Sequence, residues 1–341
     1  MTDDRVALWS EQDRRDVFEQ TAAQRGLTAV IVEKDYWVYW TLGLLFMGPL
    51  GKNVVFKGGT SLSKVHQLIS RFSEDIDLCI ERQAIALGDD SDPYEAKSNG
   101  ERTRRVDRVL QACHAWVGGT LRPQLLADAD AMLGAGVVRI IADANDPSTL
   151  FLHYPRALTS ATYGATGYLD PAIRLELGAR GDPSPAAPGT VRALCAESFP
   201  DSVRDLDAPV VALAATRTFW EKVVLAHGEH HRPLAKPMAP HLARHYYDLA
   251  MLRQYGTAAA ALGDAGLLAE VVRNTSTFFR TGWGNYETVT RGHLRITPAP
   301  GRISALKADY TAMEPMFFDT PPKFETLLEE LATLETELNA V

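Results

Sequence analysis

Cysteine is nearly absent: Cys79, Cys113 and Cys195 are the only three in 341 residues, far apart and without paired spacing. A disulfide framework and a cysteine zinc site are excluded, and the pattern fits reduced thiols in a cytoplasmic protein. Long apolar runs are missing too. The longest, Leu42 to Leu50, is too short for a bilayer and is broken by Gly48 and Pro49, so no membrane partner is expected. The opening MTDDRVALWSEQDRR is acidic where an export signal would be basic and then apolar. Positive charge is scarce, with 35 Lys and Arg against 43 Asp and Glu and a formal net charge of −8. A nucleic-acid groove would therefore have to be local. The acidic run Gly88 to Pro93 lacks the ligand order of an EF-hand and reads as a solvated loop. His241 and His245 are four apart but no glutamate follows His241, so the zinc-hydrolase motif is absent, and Gly228 to Pro240 reads as a polar loop.

What is present concentrates between Asn53 and Ile80, NVVFKGGTSLSKVHQLISRFSEDIDLCI. Asn53 to Phe56 is a short β-branched apolar run. Lys57-Gly58-Gly59 punctuates it, and Thr60 to Ser70 is helix-compatible, which predicts strand, tight turn, helix. Glycine lets backbone approach a ligand closely, and free amides at a helix start favour an anion, so phosphate suits Gly58, Gly59, Thr60 and Ser61. The Gly-Lys-Ser/Thr ending of a Walker loop is missing, as is a dinucleotide fingerprint. Asp75-Ile76-Asp77-Leu78-Cys79-Ile80 then alternates. On a strand, Asp75 and Asp77 share one face and Ile76, Leu78 and Ile80 the other. Adjacent carboxylates repel unless a cation lies between them, and hard oxygen ligands at this spacing suit magnesium.

These two motifs, Lys57-Gly58-Gly59-Thr60-Ser61-Leu62-Ser63-Lys64 and Arg71-Phe72-Ser73-Glu74-Asp75-Ile76-Asp77-Leu78, resemble the signature of the AbiEii/AbiGii nucleotidyltransferase toxins. That family comprises the MenT-like, type IV toxin–antitoxin proteins of the polymerase β-like superfamily. The resemblance implies an α+β fold, with a mixed-sheet nucleotidyltransferase core and a mainly helical C-terminal domain. It implies transfer of a nucleoside monophosphate from an NTP to an RNA 3′ end, with tRNA the expected acceptor, two magnesium ions on Asp75 and Asp77, and a cognate antitoxin. Glu176, in the alternating stretch Pro171 to Arg180, matches the third acidic residue, although pairing with Arg174 or Arg180 is an equal reading. Lys222 matches a helical lysine that reaches the nucleotide. Asp248, in Arg244-His245-Tyr246-Tyr247-Asp248-Leu249, would accept the attacking hydroxyl's proton or hold Lys222. The implied phosphate set comprises Lys57, Gly58, Gly59, Thr60 and Ser61, with charge from Lys64; Arg71 and Ser73 join it by adjacency.

Elsewhere, two helices are expected over Ser10 to Phe46, one over Glu101 to Val117 bearing Arg102, Arg104, Arg105 and Arg108, and strands over Val137 to Ala142 and Ser148 to Tyr154. A proline-rich linker at Asp182 to Gly189 leads to a boundary near residue 205, dividing the chain into 1–205 and 206–341. Helices follow over Thr216 to His227, His241 to Gln254 and Phe324 to Leu338. Phe278 to Arg295 interleaves aromatics with arginines, equally suited to base stacking and to packing. Two other readings stay open, a small-molecule or protein acceptor and a catalytically silent binding module.

Overall fold

A computed structural model describes residues 5–88, 92–166, 171–205 and 207–340. Asp89, Asp90 and Ser91 of the expected acidic loop, and Leu206 at the expected boundary, lie outside the described residues.

Seven strands form one mixed sheet: β1 Val54–Lys57, β2 Asp75–Ile80, β3 Arg139–Ala142, β4 Thr149–His153, β5 Ile173–Gly178, β6 Ala186–Val191 and β7 Ala208–Leu213. Their order is β3-β4-β5-β2-β1-β7-β6. The central pair β1–β2 is antiparallel, while β2–β5 and β1–β7 are parallel. Thus the carboxylate strand and the strand feeding the glycine turn lie side by side at the centre of the sheet. Together with the helices, this is the expected α+β architecture.

The first apolar cluster packs helices Glu11–Arg25 and Ala29–Met47 against the sheet. Ser10 caps the first through its hydroxyl, which accepts from the Asp13 amide at 3.1 Å, and Gly26 ends it in the left-handed region. The second helix is buried nearly all round, as its apolar content requires. Its charged pair is absorbed by ion pairs, Lys34 with Glu74 and Asp35 with Lys64. Trp37 stacks on Tyr154 with ring centroids 5.2 Å apart.

A second cluster is built by helices Ala215–His231, Ala243–Gln254, Leu267–Phe278 and Phe324–Asn339. Leu327, Leu331, Leu334 and Leu338 recur at helical spacing and are fully buried. Leu62, within the glycine-turn helix, and Ile69, just after it, belong to this cluster and not to the first. The residues that follow the turn therefore join the two clusters.

Four expectations need correction. The helix expected over Thr60 to Ser70 is Gly58–Lys64. It is closed by Leu68 N donating to Leu62 O and His66 N to Ser61 O, around Gln67 at φ 53°. The left-handed turn falls on glutamine where glycine is usual, so the sequence carries no stop signal. The linker Asp182 to Gly189 contains most of β6, an edge strand on which Pro188 costs no interior ladder bond. β7 also follows residue 205 and pairs with both β1 and β6, so the sheet continues past the expected boundary. The polar loop expected from Gly228 begins only after His231, where the lysine helix ends. His227 is spent on packing, accepting from the Arg295 amide and meeting the Thr288 hydroxyl. Among the described residues no helix is long and apolar enough to cross a membrane.

Candidate active site

The site starts with the two glycines. Gly58 sits at φ +77°, and a Cβ there would lie 2.0 Å from Asp77 Oδ2. At Gly59 a Cβ would lie 2.7 Å from Arg71 Nη2 and 3.0 Å from Ser73 Oγ. Only a residue without a side chain lets the turn close against these groups. Thr60 donates its hydroxyl to the carbonyls of Ser73 and Asp75, which ties the turn to the entry of β2.

Strand register assembles the charges. On β2, Asp77 is opposite Lys57 of β1 and Glu176 of β5, and Asp75 is opposite Arg174. Burial pushes the Asp77 carboxyl up to about 6, and Glu176 and Asp75 add to this against the opposing pull of Lys57. A carboxylate that is costly to ionise beside two others is one a divalent cation would relieve, so Asp75 and Asp77 fit magnesium, which commonly takes one or two carboxylates and fills its shell with water and substrate phosphate. Glu176 lies at the same cleft, but Arg174 Nη1 holds its Oε1 and stands 3.9 Å from Asp75 Oδ2. Among the described residues no three His, Cys, Asp or Glu side chains are gathered closely enough to hold an ion by themselves.

The opposite wall comes from the helical cluster. Asp248 is fully buried, and its two oxygens accept from Arg71 Nε at 2.8 Å and Nη2 at 2.9 Å, with Lys222 Nζ also at 2.9 Å. Burial opposes this charge, but Arg71 first and Lys222 second outweigh it and hold Asp248 well below the usual carboxylate range. Burial lowers Lys222 against the pull of Asp248. His245 Nδ1 lies 3.3 Å from Lys222 Nζ, and burial, with Lys222 and Arg244 nearby, keeps the imidazole neutral. The resulting cleft has a volume of about 220 Å³.

The cleft brings together Lys57, Gly58, Gly59, Arg71 and Ser73, the acidic residues Asp75, Asp77 and Glu176, and Lys222, with Asp248 directly behind Arg71 and Lys222. Thr60, Ser61 and Lys64 do not line it. Thr60 and Ser61 are buried beneath the turn, and Lys64 faces a separate cavity where it pairs with Asp35. Arg102, Arg104, Arg105 and Arg108 are not on the cleft wall either; Arg105 binds Glu101 and the Asp92 carbonyl. Sequence reasoning gave no role at the site to Thr218, Glu221, Arg244 or His245, all of which line the cleft. Thr218 precedes Lys222 by four and Arg244 precedes Asp248 by four, the spacing of one helix face, but which face docks is not readable from the chain. Glu221 lies 3.8 Å from Lys57 Nζ and is the main influence raising that lysine.

The family described as "Nucleotidyl transferase AbiEii toxin, Type IV TA system" matches residues 43–330. No curated protein matches the chain. Among solved structures, MenT4, a nucleotidyltransferase toxin from Mycobacterium tuberculosis H37Rv, is similar at 15% identity over 96% of this chain and 99% of that one, with a TM-score of 0.35. Since the family match spans both the carboxylate strand and the Lys222 and Asp248 helices, the chain belongs to the AbiEii nucleotidyltransferase toxins of type IV toxin–antitoxin systems.

Proposed function

We propose that this nucleotidyltransferase transfers a nucleoside monophosphate from an NTP to the 3′ end of an RNA, with tRNA as the acceptor and magnesium as the metal, and that a cognate antitoxin restrains it. The observation that carries the reading is the acidic pair Asp75 and Asp77, set against a two-glycine turn and faced by Lys222 and Arg244 across one cleft. The acceptor hydroxyl attacks the α-phosphorus and loses its proton to solvent, the bond to the bridging β-phosphate oxygen breaks, and pyrophosphate leaves. Magnesium on Asp75 and Asp77 would offset charge on the triphosphate and increase the acidity of the acceptor hydroxyl. Lys57, Lys222 and Arg244 supply fixed positive charge for the phosphates, and the space above Gly58 and Gly59 admits them closely. With its oxygens engaged by Arg71 and Lys222, Asp248 holds Lys222 in place; it is the positioning half of the two roles the resemblance allowed. The same reading assigns the sheet to a nucleotidyltransferase domain and the later helices to a second domain that completes the site. Glu176 would join the metal once Arg174 is drawn off by substrate.

The test is incubation of the purified protein with total RNA, magnesium and each α-labelled NTP in turn, beside an Asp75→Ala/Asp77→Ala variant. Label on tRNA-sized RNA from the wild type alone is expected. NTP consumption without labelled RNA would move the acceptor to a protein or small molecule.

A further inference from the structure

Next to the cleft lies a second cavity of about 320 Å³, and Lys57, Glu221 and Leu225 are walls of both. One side is the lysine helix, which presents Glu221, Val224, Leu225 and Gly228 at helical spacing. The other is the segment from Phe279 to Tyr286, the aromatic run that the transfer chemistry leaves unused. This segment is closed on itself. Tyr286 Oη accepts from the Thr281 amide at 3.1 Å and donates to the Phe279 carbonyl at 3.3 Å. Gly284 lets the Tyr286 ring lie over it, since a Cβ there would be 2.3 Å from the ring.

The wall is aromatic with a polar edge. Phe279 is 42% exposed with the Arg180 guanidinium 4.7 Å from its ring centroid, and Trp283 is covered by Arg232 and Lys236 at 4.9 and 4.3 Å. Asn274, 4% exposed, is fixed on the wall by donating its amide to Tyr94 Oη at 2.9 Å and to the Arg180 carbonyl at 3.1 Å. The cavity suits a flat group with polar edges, and the walls it shares with the cleft allow that group to be joined to an occupant of the cleft.

We infer that this cavity takes a nucleobase, stacked at Phe279 and Trp283 while its own phosphate lies in the cleft. The inference rests on the nucleotidyl-transfer reading of the cleft. Two sources supply the same chemistry, the incoming NTP and the terminal nucleotide of the acceptor, and binding measurements separate them. Calorimetry would compare magnesium tripolyphosphate, which has no base, with each of the four NTPs, and in a separate arm with a short single-stranded RNA. Wild type would be set beside Phe279→Ala and Thr275→Phe, the latter placing a ring in the cavity that Thr275 lines, with folding checked by thermal melting.

Base stacking on an aromatic is lost by roughly 5- to 100-fold in Kd on alanine substitution. That weakening is expected in one arm, with tripolyphosphate binding unchanged. A shift in the NTP arm assigns the cavity to the incoming base, and a shift in the RNA arm to the acceptor's. Folded variants that bind every NTP and the RNA as tightly as wild type overturn the inference, as does a wild type that binds neither. A wild type that ignores tripolyphosphate yet binds nucleotide through Phe279 would overturn the phosphate reading of the cleft and leave the cavity's role standing.

Discussion

Replacing Asp248 with asparagine keeps the shape of the side chain and removes one charge. Arg71 and Lys222 would then be left with side chains only 2% and 9% exposed and no carboxylate between them. Arginine cannot shed its proton inside a protein, so its charge stays uncompensated, whereas Lys222, already lowered by burial, can relieve part of the cost by deprotonating. Breaking a buried pair by removing one partner costs about 3–5 kcal/mol. Lys222→Met, by contrast, leaves the two-bond Arg71–Asp248 contact intact and should cost about 1 kcal/mol or less. Urea unfolding followed by tryptophan fluorescence reads both, with Trp220 as a buried reporter in the helical cluster. The acid limb gives a second readout. Because Asp248 is held below its unfolded value, the unfolded chain binds more protons there, so the stabilisation is present above the ordinary carboxylate range and is lost as pH falls through and below it. The asparagine variant should show a shallower acid limb. A loss under about 1 kcal/mol for Asp248→Asn, or a loss equal to that of Lys222→Met, would refute the argument that this carboxylate neutralises two buried cations.

Gly58→Ala should add about 1–2 kcal/mol of backbone strain and displace the Asp77 carboxylate, so transfer of labelled nucleotide should fall about 100-fold or more while the fold survives by circular dichroism. Asp77→Asn should abolish transfer yet stabilise the metal-free protein by about 1 kcal/mol at pH 8. Its folded pKa is raised to about 6, so the wild type loses stability as pH rises from about 4 through 6 and the variant does not; equal thermal midpoints at pH 8 would count against this. Lys64→Met should cost about 3 kcal/mol through the orphaned Asp35 while the NTP KM stays within about twofold, and a KM raised tenfold would return Lys64 to the phosphate site.

The part of the site written in the chain is the part made by neighbours in sequence. A two-residue alternation places Asp75 and Asp77 on one face without reference to anything distant, and paired glycines announce a close approach whatever closes in. Lys64 shows where adjacency misleads. Five residues past Gly59 are about 1.4 helical turns, which carries its ammonium round to Asp35 and away from the cleft. Glu221 and Arg244 were hidden for another reason: a charged residue on a helix reads as solvated until it is known which face docks, and that is settled by the packing of the helical cluster on Leu62 and Ile69. Pro188 disguised β6 because an edge strand tolerates what a central strand would not.

Arg71 lies four residues before the carboxylate strand β2 and its partner Asp248 about 180 residues later, so the salt bridge between them also orders events during synthesis. A ribosome that has emitted the first 205 residues has made both carboxylates and the glycine turn, but neither the lysine nor the aspartate that anchors it. Leu62 and Ile69 at that stage have no apolar surface to cover them. Interrupted translation therefore yields chains with exposed core residues and no assembled cleft, suited to degradation and unable to transfer nucleotides in the cell that makes them.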